Sequence, residues 1–175
     1  MTAISNDQVI VREFQPQDQE RVIELFRLGL CSYKTPPHDK VNPWFVEMKI
    51  NGDMGNIQQH YIEKERHNFW VAVLNDNVVG CVGAWPHSKI NGALELIRMS
   101  VDASIRRKGI ATLLIKQVEK YAMDEGFSKV ILDTGAMMKA ACSFYERCGY
   151  KKKKTYSDKL GGIEVHVQPF VKDLR

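Results

Sequence analysis

Residues 93–134 predict a strand, a long helix and a second strand that follow one another closely. Both strands, 93–101 ("ALELIRMSV") and 129–134 ("KVILDT"), are mostly apolar, as buried strands are. The helix is predicted over 108–125, where one apolar stripe recurs at helical spacing: Ile110, Leu114, Val118 and Ala122. Strands joined through a helix run parallel, so this unit predicts a mixed α/β domain.

The rest of the sequence predicts antiparallel hairpins and further helices. Strands are expected at 8–14, 68–74 and 78–85, and a last hairpin runs from 150–157 through Gly161-Gly162 to 163–171. Helices are expected at 16–30, 54–65 and 138–148. Prolines and glycines punctuate 31–55, which we expect to be irregular and partly helical. No repeat or linker divides the chain, so one domain over residues 1–175 is predicted.

Charge and composition argue against several classes of protein. The 25 Lys and Arg against 21 Asp and Glu give a net charge of only +4, too low to favour nucleic acid as a partner. The lysine run 151–154 is typical of a solvated edge strand, with nucleic-acid binding as the less favoured alternative. The four cysteines and five histidines have no metal-ligand spacing, so no metal is expected. Without a signal peptide or an apolar run of about 18 residues, the sequence predicts a soluble cytoplasmic protein with no membrane span.

The stretch 104–111, "SIRRKGIA", places three basic residues at the start of the long helix. A helix N-terminus carries partial positive charge, so cations are disfavoured there unless an anion binds. Its backbone N–H groups point at such an anion, and Gly109 lets the anion approach closely. The stretch therefore indicates either a phosphate site or a solvated surface.

Two motifs carry a family resemblance. Arg106-x-x-Gly109-x-Ala111 after the strand 93–101 resembles motif A of the GNAT superfamily of acyl-CoA-dependent N-acetyltransferases, and Ala141-x-x-x-Tyr145-x-x-x-Gly149-Tyr150 resembles its motif B. The resemblance covers essentially the whole chain. It implies a mixed, mostly antiparallel sheet of about seven strands with a splayed central pair, flanked by about four helices. It also implies acetyl-CoA as co-substrate and a primary amine as acceptor.

A narrower resemblance is to the camello-like N-acetyltransferases. It rests on "FWVAVLNDNVVGCVGAWP", "ELIRMSV" and "ILDTGAMMKAACSFYERCGY". Members of that group commonly carry a hydrophobic, membrane-associated segment between the first helix and the second strand. Here the corresponding stretch, 29–52, is polar and broken by prolines, which departs from the group's pattern.

The resemblance implies roles for individual residues. The cofactor would be held by the end of the strand, the motif A loop and the motif B helix, that is by Met99, Ser100, Val101, Arg106, Arg107, Lys108, Gly109, Ile110, Ala111, Thr112, Ala141 and Tyr145. The Met99 N–H would also polarise the thioester carbonyl. The Tyr145 phenol would hydrogen-bond the sulfur of CoA and protonate the leaving thiolate; the alternative is a packing tyrosine. Met138 stands where the family often has an Asn, so that side-chain hydrogen bond is absent.

The resemblance implies that Glu95 is the general base, because some GNAT enzymes place a catalytic glutamate at this position of the strand. Side chains alternate along a strand, so Glu95, Ile97, Met99 and Val101 are expected on one face, where a carboxylate could take a proton from an incoming ammonium. The alternative is a structural carboxylate paired with Arg98 or another cation. Arg98 would face away from Glu95 unless a bulge re-aims it, and would then either pair structurally or bind an acidic substrate.

The sequence therefore favours an acetyl-CoA-dependent N-acetyltransferase that works by direct attack in a ternary complex. The alternative is a non-catalytic acyl-CoA-binding sensor or docking module, which would share the cofactor residues. Small amines, amino-acid-type amines and protein lysines or N-termini all remain as acceptors. Tyr33, Trp44 and Phe45 either face the substrate or pack the loop, and the last strands offer an edge through which a homodimer could form.

Overall fold

Within residues 8–105 and 108–174, which the computed structural model describes, eight strands form one sheet. In chain order they are β1 (Ile10–Glu13), β2 (Asn68–Leu74), β3 (Asn77–Pro86), β4 (Ala93–Val101), β5 (Lys129–Gly135), β6 (Lys151–Lys152), β7 (Tyr156–Leu160) and β8 (Ile163–Asp173). Across the sheet the order is β1-β2-β3-β4-β5-β8-β6, and β7 also pairs with β8. Only the pair β4–β5 is parallel, so the predicted mixed, mostly antiparallel sheet is confirmed.

Helices cover both faces of the sheet. Helices α1 (Gln19–Cys31) and α2 (His38–Ile50) pack on one, called here the α1 face. Helices α3 (Ile110–Asp124) and α4 (Lys139–Arg147) pack on the other, the α3 face. Each face has its own apolar core, because the strand side chains alternate between the two.

The segment between α1 and β2 is more helical than its punctuation predicts. Helix α2 continues through Pro43, although the prolines in this segment predict irregular structure. A proline in a helix removes one N–H and crowds the preceding turn, but the buried Val41 and Val46 hold this helix against the core. The prediction of one helix at 54–65 is wrong, because the structure has a 3₁₀ turn at Asp53–Gly55 and a π-helical turn at Gln58–Ile62.

Strand β4 carries a bulge. Gly83 of β3 pairs with Ile97 and Cys81 pairs with Ser100, so β4 has one residue more than β3 between these positions. Arg98, inside the bulge, has φ 55°, a left-handed conformation that is rare for a residue with a side chain. An extra residue reverses the alternation of every side chain that follows it.

The bulge overturns the expectation that Glu95, Ile97, Met99 and Val101 share one face. Ile97 packs in the core of the α1 face, whereas Met99 and Val101 pack against the core of the α3 face. Strict alternation fails because the extra residue at Arg98 shifts the strand by one position. Before the bulge, Glu95 shares its face with Ile97.

Strands β4 and β5 separate after a short stretch of pairing. They pair only over Ala93–Glu95 and Lys129–Ile131, and β5 then continues to Gly135 beside β8. The β5-facing edge of β4 therefore has no strand partner over 96–101 within the described chain. This divergence is the predicted splayed central pair.

Candidate functional site

The divergence of β4 and β5 opens a cleft of about 560 Å³, large enough for a substantial ligand. Its walls come from β4, β5, α4, the α1–α2 region and the β7–β8 hairpin. Both Glu95 and Tyr145 line it, as do Met99, Ser100, Val101 and Ala141. The structure therefore places the two candidate catalytic residues and part of the candidate cofactor set in one cleft.

The β7–β8 hairpin forms one side of the cleft and touches helix α2. Gly161, at the hairpin turn, has φ 57°, and a Cβ there would lie 2.9 Å from the ring of Trp44. Tyr156 of β7 donates a hydrogen bond of 3.0 Å to Asp133 of β5. Trp44 thus packs against the hairpin, whereas Tyr33 and Phe45 line the cleft.

Glu95 is held by a tryptophan on the neighbouring strand. Trp85 is the β3 partner of Glu95, and its indole Nε1–H donates to Glu95 Oε2 at 2.8 Å. The Trp85 ring in turn stacks on Tyr61, with centroids 5.5 Å apart and planes within 4°. A single hydrogen bond leaves acceptor sites on this carboxylate free for a ligand proton.

Arg98 pairs with Asp53, not with Glu95. Its guanidinium makes two hydrogen bonds of 3.0 and 3.1 Å to the Asp53 carboxylate, and the two side chains are only 8% and 13% exposed. The bulge turns Arg98 to the face that Glu95 occupies, so the structural pairing of Arg98 is the alternative that the geometry supports. The expected alternative of a Glu95–Arg98 ion pair is wrong because Asp53, 45 residues earlier in the sequence, takes the guanidinium.

A tyrosine completes this buried pair. Tyr61 Oη–H donates to Asp53. Burial by itself would raise the pKa of Asp53, but hydrogen bonds and charge from Arg98 together with the Tyr61 bond lower it. Burial and the adjacent Asp53 charge raise the pKa of Tyr61, so its phenol stays protonated. Asp53, Arg98 and Tyr61, with Trp85 and Glu95, are called here the Asp53–Glu95 network.

Tyr145 lies on α4 and is 8% exposed. Its ring packs against Phe170, with centroids 5.6 Å apart, and against Tyr150 at 6.1 Å. Burial raises the pKa of Tyr145, so the phenol keeps its proton at neutral pH. Such a hydroxyl is suited to donate a hydrogen bond to developing negative charge in the cleft.

The start of α3 has the backbone of an anion site. Gly109 is the N-cap residue, with φ 72° and no capping side chain, and a Cβ there would meet nothing within 4 Å. The N–H groups of the first turn, at Ile110, Ala111 and Thr112, precede the regular hydrogen-bond ladder of the helix. Lys108 is exposed, and the first turn has no acidic residue. Arg106 and Arg107 lie outside the described residues.

Sequence reasoning missed the polar residues that α2 brings to the cleft. Lys49 and His38 both line it. The Asn42 amide donates to the Leu30 carbonyl at 2.9 Å, so its oxygen is left for His38 Nδ1 at 3.2 Å, and His38 Nε2 faces Gly135. The spacing of four between His38 and Asn42 is a helical signal, but the prolines around it favoured an irregular segment.

The mixed sheet and the cleft between β4 and β5 have the form expected of the GNAT fold, and comparison with known proteins shows the family. The model of the acetyltransferase (GNAT) family matches residues 32–150, so the chain belongs to this family. A solved acetyltransferase of the GNAT family from Staphylococcus aureus Mu50 has the same fold, with a TM-score of 0.74, 21% identity, and coverage of 96% of this chain and 100% of that one.

Three curated proteins are more similar to this chain in sequence than the solved structure is. The chain is 43% identical to rat N-acetylaspartate synthetase over 70% of its own length and 41% of that protein. It is 39% identical to human N-acetyltransferase 8 over 63% of its length and 51% of that protein. It is also 39% identical to the probable N-acetyltransferase camello of Xenopus tropicalis, over 60% and 48%. The camello-like resemblance is confirmed, and the chain spans about half or less of the length of these relatives.

Two further findings concern the described part of the chain. None of its helices combines the length and apolar character needed to cross a bilayer. Over the same residues, no three His, Cys, Asp or Glu side chains come together as a metal site.

Proposed function

We propose that this protein is an acetyl-CoA-dependent N-acetyltransferase that moves the acetyl group to a primary amine by direct attack in a ternary complex. The observation that carries the proposal is the cleft between β4 and β5, where Glu95 and Tyr145 line the same space as the edge of β4 that has no strand partner among the described residues. A carboxylate and a protonated phenol in one cleft can supply the general base and the hydrogen-bond donor of an amine acylation.

The residues present fit acetyl-CoA. The pantetheine arm would lie along Met99, Ser100 and Val101, where β4 lacks a strand partner within the described chain. Its pyrophosphate would bind the N–H groups at the start of α3, where Gly109 leaves open space in front of the backbone. When bound, the cofactor supplies an activated acetyl thioester.

The side chains of the cleft then divide the proton transfers. Glu95 takes a proton from the acceptor ammonium, directly or through water, which frees the nitrogen lone pair for attack on the carbonyl carbon. The Met99 N–H stabilises the charge that develops on the carbonyl oxygen. As the C–N bond would form and the C–S bond would break, the nitrogen would lose its second proton to the departing thiolate, which would leave as the thiol. Tyr145 would donate a hydrogen bond to that sulfur. Its raised pKa favours hydrogen-bond donation over complete proton transfer to the thiolate.

The relatives support an amine acceptor. One is named as a synthetase of N-acetylaspartate, an N-acylated amino acid, and two are named as N-acetyltransferases. These names favour an amino-acid-type amine for this chain, with other small amines and protein lysines or N-termini as the wider set.

The cofactor site is tested by a pair of glycine variants. Gly109 and Gly126 flank α3, both have positive φ (72° and 78°), and a Cβ on either meets nothing within 4 Å. Gly109→Glu and Gly126→Glu therefore carry a similar backbone cost, about 1 kcal/mol. We expect calorimetry to show that Gly109→Glu abolishes acetyl-CoA binding, whereas Gly126→Glu leaves the affinity near that of the wild type. Equal affinity in the two variants would contradict the phosphate site.

The alternative of a non-catalytic acyl-CoA sensor shares the whole cofactor site. Release of CoA from acetyl-CoA, measured with a thiol reagent in the presence of a library of amines, separates the two functions. An enzyme releases CoA in proportion to the amine acetylated, whereas a sensor binds acetyl-CoA and releases none with any amine.

A further inference from the structure

Lys49 is a cation in the cleft without an ionic partner among residues 8–105 and 108–174. It lies near the end of α2, half-buried, and its ammonium stands 5.0 Å from the centre of the Phe45 ring. A half-buried ammonium loses part of its hydration, and here no carboxylate of the described chain lies within ion-pair distance to replace it.

The second cation of the cleft wall is already neutralised. Arg98 was the sequence candidate for binding an acidic substrate, and the bulge does turn it to this side. Its guanidinium, however, is engaged at two nitrogens by Asp53. An anion that enters the cleft therefore meets, at Lys49 and not at Arg98, a cation that makes no ion pair with the described residues.

The negative charges of the cleft lie elsewhere on its walls. Glu95 is held by Trp85 on the β3–β4 side and makes no ion pair with Lys49. Asp133 and Asp158 are exposed on β5 and β7, and Asp133 accepts the Tyr156 hydroxyl. These carboxylates repel a second carboxylate, which leaves the α2 wall as the place for one.

Burial and the nearby Arg98 charge lower the pKa of Lys49, while Asp53 and Glu95 act in the opposite direction. An anion in contact with the ammonium would offset both effects that lower it. A bound carboxylate would therefore stabilise the charged form of Lys49.

We propose that Lys49 binds a carboxylate of the acceptor, so that the acceptor is an amine that carries a carboxylate close to its amino group, as a free amino acid does. The ammonium of such a zwitterion lies towards Glu95 and the carboxylate towards Lys49. Lys49 is then a specificity-determining residue of the acceptor site. The inference rests on the proposed N-acetyltransferase function.

The test compares free L-amino acids with the corresponding amino-acid amides, with CoA release as the measurement. The amides keep the amine and lose the negative charge. Their amino groups are less basic, so a larger fraction of the amide is unprotonated at neutral pH. This difference by itself would make the amides the better acceptors. We expect the wild-type protein nevertheless to prefer the acids by about 10- to 100-fold in kcat/KM. This is the factor that corresponds to one charge-assisted hydrogen bond, which the amides cannot make. Lys49→Met should reduce this acid-to-amide ratio to about one, and Lys49→Arg should restore much of it.

Lys40→Met is the matched control, because Lys40 lies on the same helix and is exposed. It should leave the acid-to-amide ratio unchanged. Three results would overturn the Lys49 proposal while leaving the N-acetyltransferase in place: amides used as well as acids by the wild type, protein amines preferred over both, or Lys49→Met lowering both rates equally. If no amine releases CoA, the proposed function itself fails, and this inference with it.

Discussion

The two faces of the sheet are built differently. On the α3 face, two regular helices pack on the strands through an almost entirely apolar core. On the α1 face, the regular helix α1 is accompanied by a proline-containing helix, a 3₁₀ turn and a π-helical turn, and the partly buried Asp53–Glu95 network lies on this face. The irregular face is the one that carries the polar side chains of the proposed acceptor site.

The difference between the two faces matches the two binding tasks of the proposed function, which are to hold the cofactor and to select the acceptor. Backbone groups at the end of β4 and the start of α3 suit the cofactor, which looks alike in every turnover. Side chains fixed by long-range contacts suit the acceptor, whose identity must be selected. Substitutions in the apolar core of the α3 face, away from Tyr145, should therefore lower stability alone, whereas substitutions in the Asp53–Glu95 network should lower activity.

The largest effect is expected from Glu95→Gln, on the α1 face. Removal of the base should lower kcat by about 10²- to 10⁴-fold and leave acetyl-CoA affinity nearly unchanged. Steady-state CoA release and calorimetry measure the two quantities. Asp158→Asn is the control, since it removes an exposed carboxylate that also lines the cleft. A normal rate in Glu95→Gln would move the role of base to another group or to water.

Asp53→Asn should affect both stability and activity. It leaves the buried Arg98 guanidinium without its counter-charge, and breaking such a pair costs about 3–5 kcal/mol. The bulge at Arg98 loses its anchor, so kcat/KM should fall as well. Chemical denaturation and CoA release test this together. Unchanged stability would show that Arg98 is held by its aromatic neighbours Phe45 and Trp85 instead.

The same pair predicts an acid dependence of stability. The pKa of Asp53 is lower in the folded protein than its ordinary value. Its stabilisation is therefore complete above about pH 4, the unfolded value, and is lost as the pH falls through the lower folded value. Denaturation curves between pH 5 and pH 2 should show this component in the wild type and lack it in Asp53→Asn.

Leu114→Ala provides the contrast on the α3 face. Leu114 is fully buried, so its truncation should cost about 2–5 kcal/mol of unfolding free energy through lost burial and a cavity. Turnover per folded molecule should stay near that of the wild type at a temperature where the variant is folded. A selective loss of kcat in this variant would contradict the separation of the two faces.

The smallest effect is expected from Tyr145→Phe, which keeps the packing ring and removes the hydroxyl. Loss of one hydrogen bond to a charged leaving group should lower kcat by about 10-fold. Thermal unfolding should change little, because the ring contacts with Phe170 and Tyr150 remain. An unaffected rate would reduce Tyr145 to a packing residue.

The sequence predicted the regular parts of the molecule well. The bounds of β2 and β4 match their predicted ranges, 68–74 and 93–101, because these strands are apolar runs bounded by turn residues. Helix α3 follows from its apolar stripe, and Gly161-Gly162 from its turn chemistry. The family resemblance implies roles for Glu95 and Tyr145, and the two residues lie in one cleft.

What the sequence could not supply depends on distant partners. The bulge at Arg98 is a mismatch between two strands, and its side chain is held by Asp53, which no local pattern links to it. Lys49 lies in α2, which the sequence does not predict as a continuous helix because Pro43 lies inside it. Local periodicity describes an element's own face, whereas the site is made by contacts between elements.

The bulge in β4 also bears on how such a chain can change over generations. Under the proposed function, it divides one strand into a half whose side chains would contact the acceptor and a half whose backbone would contact the cofactor. A mutation before Arg98 can alter what is recognised, while the residues after it keep the same orientation towards the α3 face. If the proposed roles hold, side chains of the acceptor half can vary on the α1 face while the backbone of the cofactor half stays in place.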